Sequence, residues 1–328
     1  MRKQRLTILL VLVLLAAAFY AVFFSRLFMA PEHGDTTITV VLKSLNVRSD
    51  YWQTMSSGAQ TAAKELGVEL DLQGPLQESD TEAQIRALQA AIERKPDAIA
   101  VAPVDDPRMP ALLDAIREAG IPLVVMDTAP KLTEAPAFVA NDHLQAGRQA
   151  GDTAAGLTKK RPVVAVFSSS LKSPVSKQRY EGVKQSLQAH GGQIFGTYYT
   201  GDSEQSAYDI AKSLLTKPSG ITAFITLNEG STLGVAKALK EAKKTDVYKL
   251  VGFESTIYEI QLLEEGSVNA LVVPKPFNVG YLGVKTAMKL IDGRKSAGTT
   301  RIGAAVVTRA NMYLPENQQL LFPFTVIQ

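Results

Sequence analysis

The feature that most constrains the fold is an alternation, run twice, of short apolar β-branched segments with stretches of helical spacing. In the first run, strands are expected over 37–43, 68–72, 97–102 and 122–126, with helices over 51–66, 81–94 and 107–119 between them. Local signals support the helices. Gly67 stands where a helix C-terminus is capped, and Thr81 and Gln84 have capping-box spacing. Pro103 ends a strand, and Gly120 ends a helix. The run then restarts, with strands over 163–167, 193–199, 223–227, 248–253, 268–273 and 304–308. Helices are expected over 177–189, 206–217, 231–242, 258–264 and 279–291. Strands alternating with helices form parallel sheets covered on both faces, so two runs predict two doubly wound α/β lobes. A length of 328 residues suits two domains.

Composition narrows the function. With 46% hydrophobic and 20% charged residues, the chain can bury its cores. There is no cysteine. Disulfides, thiolate metal sites, cysteine nucleophiles and a lipid-modified N-terminal cysteine are thereby excluded. The net charge of +3 sits mostly at the N-terminus; beyond residue 36 the chain has 31 basic and 30 acidic side chains. A near-neutral body gives no electrostatic basis for nucleic-acid binding.

Residues 6–24 are apolar except Thr7 and Tyr20, and follow Arg2, Lys3 and Arg5. As a helix this run would span about 28 Å, close to a bilayer core of about 30 Å. The basic flank keeps the start cytoplasmic and places the body outside. The run is longer than a usual signal-peptide core and has a poor cleavage pattern. An uncleaved membrane anchor is therefore the expectation, with a cleaved signal as the alternative. Residues 25–36, with Pro31 and Gly34, read as a tether.

In parallel sheets ligands meet the carboxyl ends of the strands. The residues there are Lys43, Asp105, Asp127, Asn141, Asp142, Asn228, Glu229, Glu254 and Lys275, mostly polar after apolar runs. Catalytic signals are poor. The three histidines, His33, His143 and His190, share no metal-ligand spacing. No phosphate-binding loop, dinucleotide glycine pattern or nucleophile elbow appears. No cofactor or metal is expected. What remains suits a polyhydroxylated ligand: carboxylates, amides and guanidinium forks for hydroxyls, and aromatic planes at Tyr51 and Trp52 for an apolar ring face. Core packing under the helix is the alternative for that aromatic pair, and a solvated charge is the alternative for Arg179.

An ordered set of short stretches runs through the body: Tyr51-Trp52 with Gly58-Ala59, Ala102-Pro103-Val104-Asp105, Gly120-Ile121-Pro122, Asn141-Asp142 with Ala146-Gly147, Arg179 with Gly182, Val251-Gly252-Phe253 and Gly280-Tyr281. Over about 37–313 it resembles the ribose/galactose-type periplasmic sugar-binding proteins, which share their fold with the effector domains of lactose-repressor-like regulators. The resemblance implies a type I periplasmic binding protein: two lobes joined by three crossovers and closing on ligand by hinge motion. The crossovers would fall near 140–142, 273–276 and 306–309. After the anchor and tether of 1–36, the first lobe would comprise 37–140 plus 275–306, and the second 141–274 plus 307–328.

By resemblance, Tyr51 and Trp52 match stacking aromatics, Asp127 a first-lobe carboxylate, Arg179 a second-lobe guanidinium, and Asn228 a strand-end amide. Asn46 is a looser match. Thr128 replaces an arginine usual after the first-lobe carboxylate, Glu254 replaces an aspartate, and Lys275 lies near a position usually held by glutamine. Lys43 resembles the basic residue of autoinducer-type receptors and would suit a ligand carboxylate, phosphate or polarised hydroxyl. The implied function is a carbohydrate-binding, non-enzymatic component of an ABC importer, with a permease as partner. The alternative is a membrane-anchored sugar sensor that signals to a sensor histidine kinase.

Overall fold

The computed structural model describes residues 20, 35–47, 50–128, 136–158, 161–170, 172–216, 219–294 and 298–323. The expected membrane segment 6–24 lies outside the described residues, apart from Tyr20. Among the described residues no helix is long and apolar enough to cross a membrane.

In chain order the first half contains β1 (Thr37–Val41), α1 (Asp50–Leu66), β2 (Glu69–Gln73), α2 (Thr81–Arg94), β3 (Ala98–Val101), α3 (Met109–Glu118), β4 (Leu123–Met126), β5 (Ala137–Asn141) and α4 (His143–Leu157). Then come β6 (Val163–Ser168), α5 (Pro174–Ala189), β7 (Gln193–Tyr199), α6 (Glu204–Leu215), β8 (Ala223–Thr226), α7 (Glu229–Glu241), β9 (Lys249–Phe253) and α8 (Ile257–Glu265). The chain finishes with β10 (Ala270–Val273), α9 (Pro276–Ile291), β11 (Thr299–Ile302), β12 (Ala305–Thr308) and α10 (Pro315–Leu321).

Two six-stranded sheets result, ordered β11-β5-β4-β3-β1-β2 and β12-β10-β9-β8-β6-β7. The first is wholly parallel. The second is parallel except where β12 runs antiparallel to β10. Successive strand residues point to opposite faces, so each sheet fills two cores. Ile38, Val40 and Leu42 pack with Met55 and Ala59 of α1 and Val279 and Val284 of α9. Val41, Ile99 and Val101 pack with Leu88 of α2 and Leu113 and Ile116 of α3. In the second lobe, Val164 and Val166 meet Ala150 of α4 and Val183 of α5. Phe167 and Phe224 meet Ala211 of α6 and Leu239 of α7.

The chain passes between lobes three times: between β5 and α4, between β10 and α9, and between β11 and β12. The third passage lies at Gly303-Ala304, earlier than the expected 306–309. Ala305 already pairs with Val273, and the ladder continues to Thr308 opposite Ala270, so 305–308 belongs to the second sheet. The alternation did not predict β5, α4, β11 or α10. Residues 81–94 form the expected helix, but its cap differs. Asp80 accepts the Ala83 N–H, while Gln84 is fully buried. The Gln84 amide donates to Leu42 O and Ala102 O and accepts from Val104 N–H, tying β1 to the turn after β3.

Glycine lets two helix pairs approach closely. A Cβ on Gly280 of α9 would lie 2.0 Å from Met55 O of α1. A Cβ on Gly147 of α4 would lie 2.0 Å from Arg179 O of α5. Backbone oxygens cannot yield as a flexible side chain does. Gly280→Ala should therefore lower the urea midpoint, with a stability loss of about 1–3 kcal/mol from overpacking. A midpoint equal to that of the parent chain would show that the α1–α9 contact is looser than described.

Candidate functional site

The carboxyl ends of β1, β4 and β5 bring Lys43, Asp127 and Asn141 together, and the first turn of α1 adds Tyr51. Asp127 has φ 63°, a left-handed backbone uncommon outside glycine. Its N–H donates to Val139 O at 2.9 Å. The Lys43 ammonium donates to Asp127 Oδ2 at 2.9 Å and to Thr128 Oγ1 at 2.7 Å. Tyr51 OH donates to Asp127 Oδ1 at 2.5 Å, and Asn141 Nδ2 donates to the Tyr51 oxygen at 3.3 Å. Lys43, Asp127 and Asn141 are buried. Burial alone would raise the Asp127 pKa, but the Lys43 charge and the hydrogen bonds from Tyr51 and Lys43 hold it well below the usual carboxylate range. Burial and the neighbouring Asp127 carboxylate together push the Tyr51 hydroxyl well above its ordinary value.

Trp52 does not offer the open stacking plane expected of it. Its side chain packs in the first-lobe core, and its ring meets Tyr51 edge-on at 5.0 Å. The Lys43 ammonium lies 5.5 Å from the Trp52 ring centroid, and the indole N–H reaches Glu78. On a helix, Tyr51 and Trp52 are adjacent and cannot share a face; Tyr51 turns to the polar cluster and Trp52 to the core.

The second lobe repeats the theme. Arg179 in α5 is buried, with Nη1 donating to Leu227 O at 2.7 Å and to Glu254 Oε1 at 3.2 Å. Its guanidinium lies 4.5 Å from the Phe253 ring centroid. The expected solvated alternative for Arg179 is thus excluded. Glu254, after β9, also has a left-handed backbone, φ 83°. Its side chain is 34% exposed. The surrounding protein desolvates it enough to raise its pKa, and Arg179 pulls in the opposite direction. Asn228 is tied beside this pair, donating to Asp202 Oδ1 and accepting from Ser231 Oγ.

Asn141 and Lys275 tie the first crossover to the second: Asn141 Oδ1 accepts the Lys275 N–H at 2.9 Å. A cavity of about 1010 Å³ lies between the lobes. Asn46 and Tyr51 line it from the first lobe, Glu229 and Glu254 from the second, and Lys275 and Phe277 from the second crossover. Of the sequence-derived set, Lys43, Tyr51, Asp127 and Asn141 thus form one cluster and Arg179 and Glu254 another. Asn228 flanks the second cluster, and Asn46 and Lys275 lie on the cavity wall. His143, set aside in the sequence for lack of metal-ligand spacing, is 4% exposed. Burial and the Arg179 charge lower its pKa to about 3, so the ring is neutral. It follows Asn141-Asp142 directly, at the first crossover. Among the described residues no group of three or more histidines, cysteines, aspartates or glutamates could hold a metal ion.

Comparison with known proteins places this geometry. The chain is 25% identical to the ribose import binding protein RbsB of Escherichia coli K12, over 86% of this chain and 93% of that one. Among solved structures, a sugar transporter from Clostridium phytofermentans is 34% identical, with TM-score 0.70, covering 83% of this chain and 99% of that one. A carbohydrate transporter solute binding protein from Agrobacterium radiobacter, in complex with D-arabinose, is 29% identical, with TM-score 0.73, covering 87% and 98%. The profile of the periplasmic binding protein domain matches residues 38–295, most of the two-lobed body, and the chain belongs to that family.

Proposed function

We propose that the chain is the sugar-binding component of an ABC importer, closing its lobes on a neutral monosaccharide outside the cytoplasmic membrane. Its family consists of substrate-binding proteins, so it binds its solute and does not turn it over. One observation carries the choice of ligand. Each lobe presents a strand-end carboxylate already paired with a cation, Lys43–Asp127 at 2.9 Å and Arg179–Glu254 at 3.2 Å. Lys43, whose charge alone would suit an anionic ligand, is engaged by Asp127 and Thr128. The charges compensate one another, and what remains for a ligand is hydrogen-bonding capacity in both senses. Sugar hydroxyls match that. The names of the relatives, a ribose importer component and a receptor bound to D-arabinose, point the same way.

The closing bodies follow the two sheets, residues 37–141 with 275–302 and 143–274 with 305–323. A ligand gripped by residues of both lobes favours the closed state by population shift. Tyr51, Asp127 and Asn141 would hold it from one side, and Arg179, Asn228 and Glu254 from the other. Asn46 and Lys275 would line its approach. Lys43, backed by the Trp52 ring, would keep Asp127 ionised. The permease is the partner of the closed form.

Calorimetry with D-ribose and D-arabinose tests the site. Asp127→Asn and Arg179→Ala should each weaken binding about tenfold to a hundredfold, the range for a charge-assisted hydrogen bond. Unchanged affinity in both variants, with melting curves showing folded protein, would reject it.

We further propose that residues 6–24 stay attached and hold the receptor at the membrane, since no cysteine offers a lipid anchor. A tethered receptor also fits signalling to a sensor histidine kinase. Mass spectrometry of the native protein should find the full chain in the membrane fraction. A mature form that starts after residue 24 would defeat the anchor and leave the soluble importer component.

A further inference from the structure

We propose that Glu259 is a positioning residue for sugar binding: an uncharged carboxylic acid behind the cleft wall that holds the turn carrying Glu254, and whose ionisation releases that turn. This rests on the sugar-receptor reading above.

The chain leaves β9 at Phe253, passes through Glu254 in its left-handed conformation, and enters α8 at Ile257 after Thr256. Glu259 is the third residue of that helix. Its Oε2 reaches back to accept the Thr256 N–H at 3.1 Å and the Thr256 hydroxyl at 3.3 Å. This is the returning half of a capping box, and it fixes the turn between Glu254 and the helix. Glu254, Thr256, Ile257 and Ile260 line the cavity between the lobes, as does Glu229 of α7. Glu259 is 0% exposed and lies behind them. It therefore supports the wall without meeting a ligand. The Thr232 side chain of α7 also acts on its carboxyl, and Thr232 Oγ1 donates to Asn228 O at 3.0 Å. Glu259 thus sits between the two second-lobe segments that carry Glu254 and Asn228.

The other carboxyl oxygen decides the charge. Glu259 Oε1 is buried and has no hydrogen-bond partner within the protein. A buried carboxylate oxygen without a donor is costly, and such a group takes up a proton instead. The charged neighbours act in the same sense: Glu254 after β9 and Glu229 of α7 are both acidic, and α10 adds Glu316 on the cavity wall. Cations on the neighbouring elements are engaged elsewhere. Arg179 pairs with Glu254, Lys237 lies over the Tyr208 ring, and Lys240 pairs with Glu265 at the far end of α8. The strand packed against α8, β10, is Ala-Leu-Val-Val and brings no charge. Burial first, then the Glu254 carboxylate, push the Glu259 pKa well above the usual carboxylate range. The unfolded chain ionises Glu259 at the ordinary value, so its burial costs stability that grows as pH rises above that value and levels off at the folded-state pKa. Once ionised, the carboxylate repels Glu254 and draws the turn open toward water. A glutamine also serves a capping box, and it cannot ionise.

The test uses the full chain, with Glu259→Gln and Glu259→Ala, titrated calorimetrically with D-ribose and D-arabinose from pH about 6 to about 9, below the tyrosine and lysine ranges. At the acid end Glu259→Gln should bind within about twofold of the parent, while Glu259→Ala should bind about five- to tenfold more weakly, as for a lost neutral hydrogen bond. Toward the alkaline end the parent should lose at least about threefold in affinity, and the glutamine variant should not. Glu254 titrates in both proteins, so the difference belongs to Glu259. In urea, the parent should lose stability relative to the glutamine variant as pH rises. Parallel pH profiles of parent and glutamine variant would overturn the role of Glu259 while leaving the sugar reading intact, because a purely structural residue gives no such difference. So would an alanine variant that binds like the parent, or a glutamine variant as weak as alanine. If the parent binds neither sugar, the sugar reading fails and this inference falls with it. Melting curves report folding; if the alanine variant does not fold, the parent and glutamine profiles decide.

Discussion

The buried side chain of Asn141 is the knot on which the two-lobed arrangement depends. It closes β5, at the first passage between lobes. Its Oδ1 takes the backbone N–H of Lys275 at the second passage, and its Nδ2 reaches the Tyr51 hydroxyl. The third passage joins it through the backbone. Ile302 pairs with Asn141 in the β11–β5 ladder, and the Asp142 N–H donates to Ile302 O at 2.8 Å. Asn141 therefore ties all three connections at the edge of the first lobe, one by its position, one by its side-chain amide and one by its backbone, and the same amide reaches the Tyr51 hydroxyl. A carboxylate could not do both, since the ionised form only accepts and the position needs a donor and an acceptor.

The sheets impose the next constraint. Strands covered on both faces must be apolar along their length, so polar side chains collect at their ends. In each lobe a carboxylate at such an end adopts a left-handed backbone, Asp127 at φ 63° and Glu254 at φ 83°. Conformations of this kind cost energy and persist only where the surroundings hold them. Here a cation does so in each case. Ion pairs this deep contribute little net stability, because desolvation offsets much of their attraction. Their value is geometric: they fix the carboxylate oxygens of Asp127 and Glu254 in place.

How much of this was legible in the sequence follows from the same physics. Core strands such as Ala223–Thr226 are buried along their whole length, and such segments stand out as apolar runs. β11, Thr-Thr-Arg-Ile, is an edge strand with alternate residues exposed, and its four residues carry no apolar run. α4 is rich in alanine and glycine because it packs closely on α5, so its spacing signal is weak. The strand-end rule singled out Lys43, Asp127, Asn141 and Glu254, which the fold gathers into two polar clusters. It could not show that Lys43 spends its charge on Asp127, or that Trp52 turns into the core, because both depend on contacts between distant segments. Gln84 is the clearest such case. Its spacing from Thr81 suits a helix cap, yet its amide links β1 to the turn after β3.

These features also bear on how the lobes can move. Within each lobe, glycine contacts lock helix pairs backbone to backbone, so deformation inside a lobe is costly. Motion is left to the passages between lobes. The second is stiffened by Pro274 and Pro276 on either side of Lys275, and Lys275 is pinned by Asn141. The third is held by the β10–β12 ladder up to Ala305. Rotation about a narrow axis through Asn141 satisfies these restraints, whereas sliding of one lobe over the other would break them together.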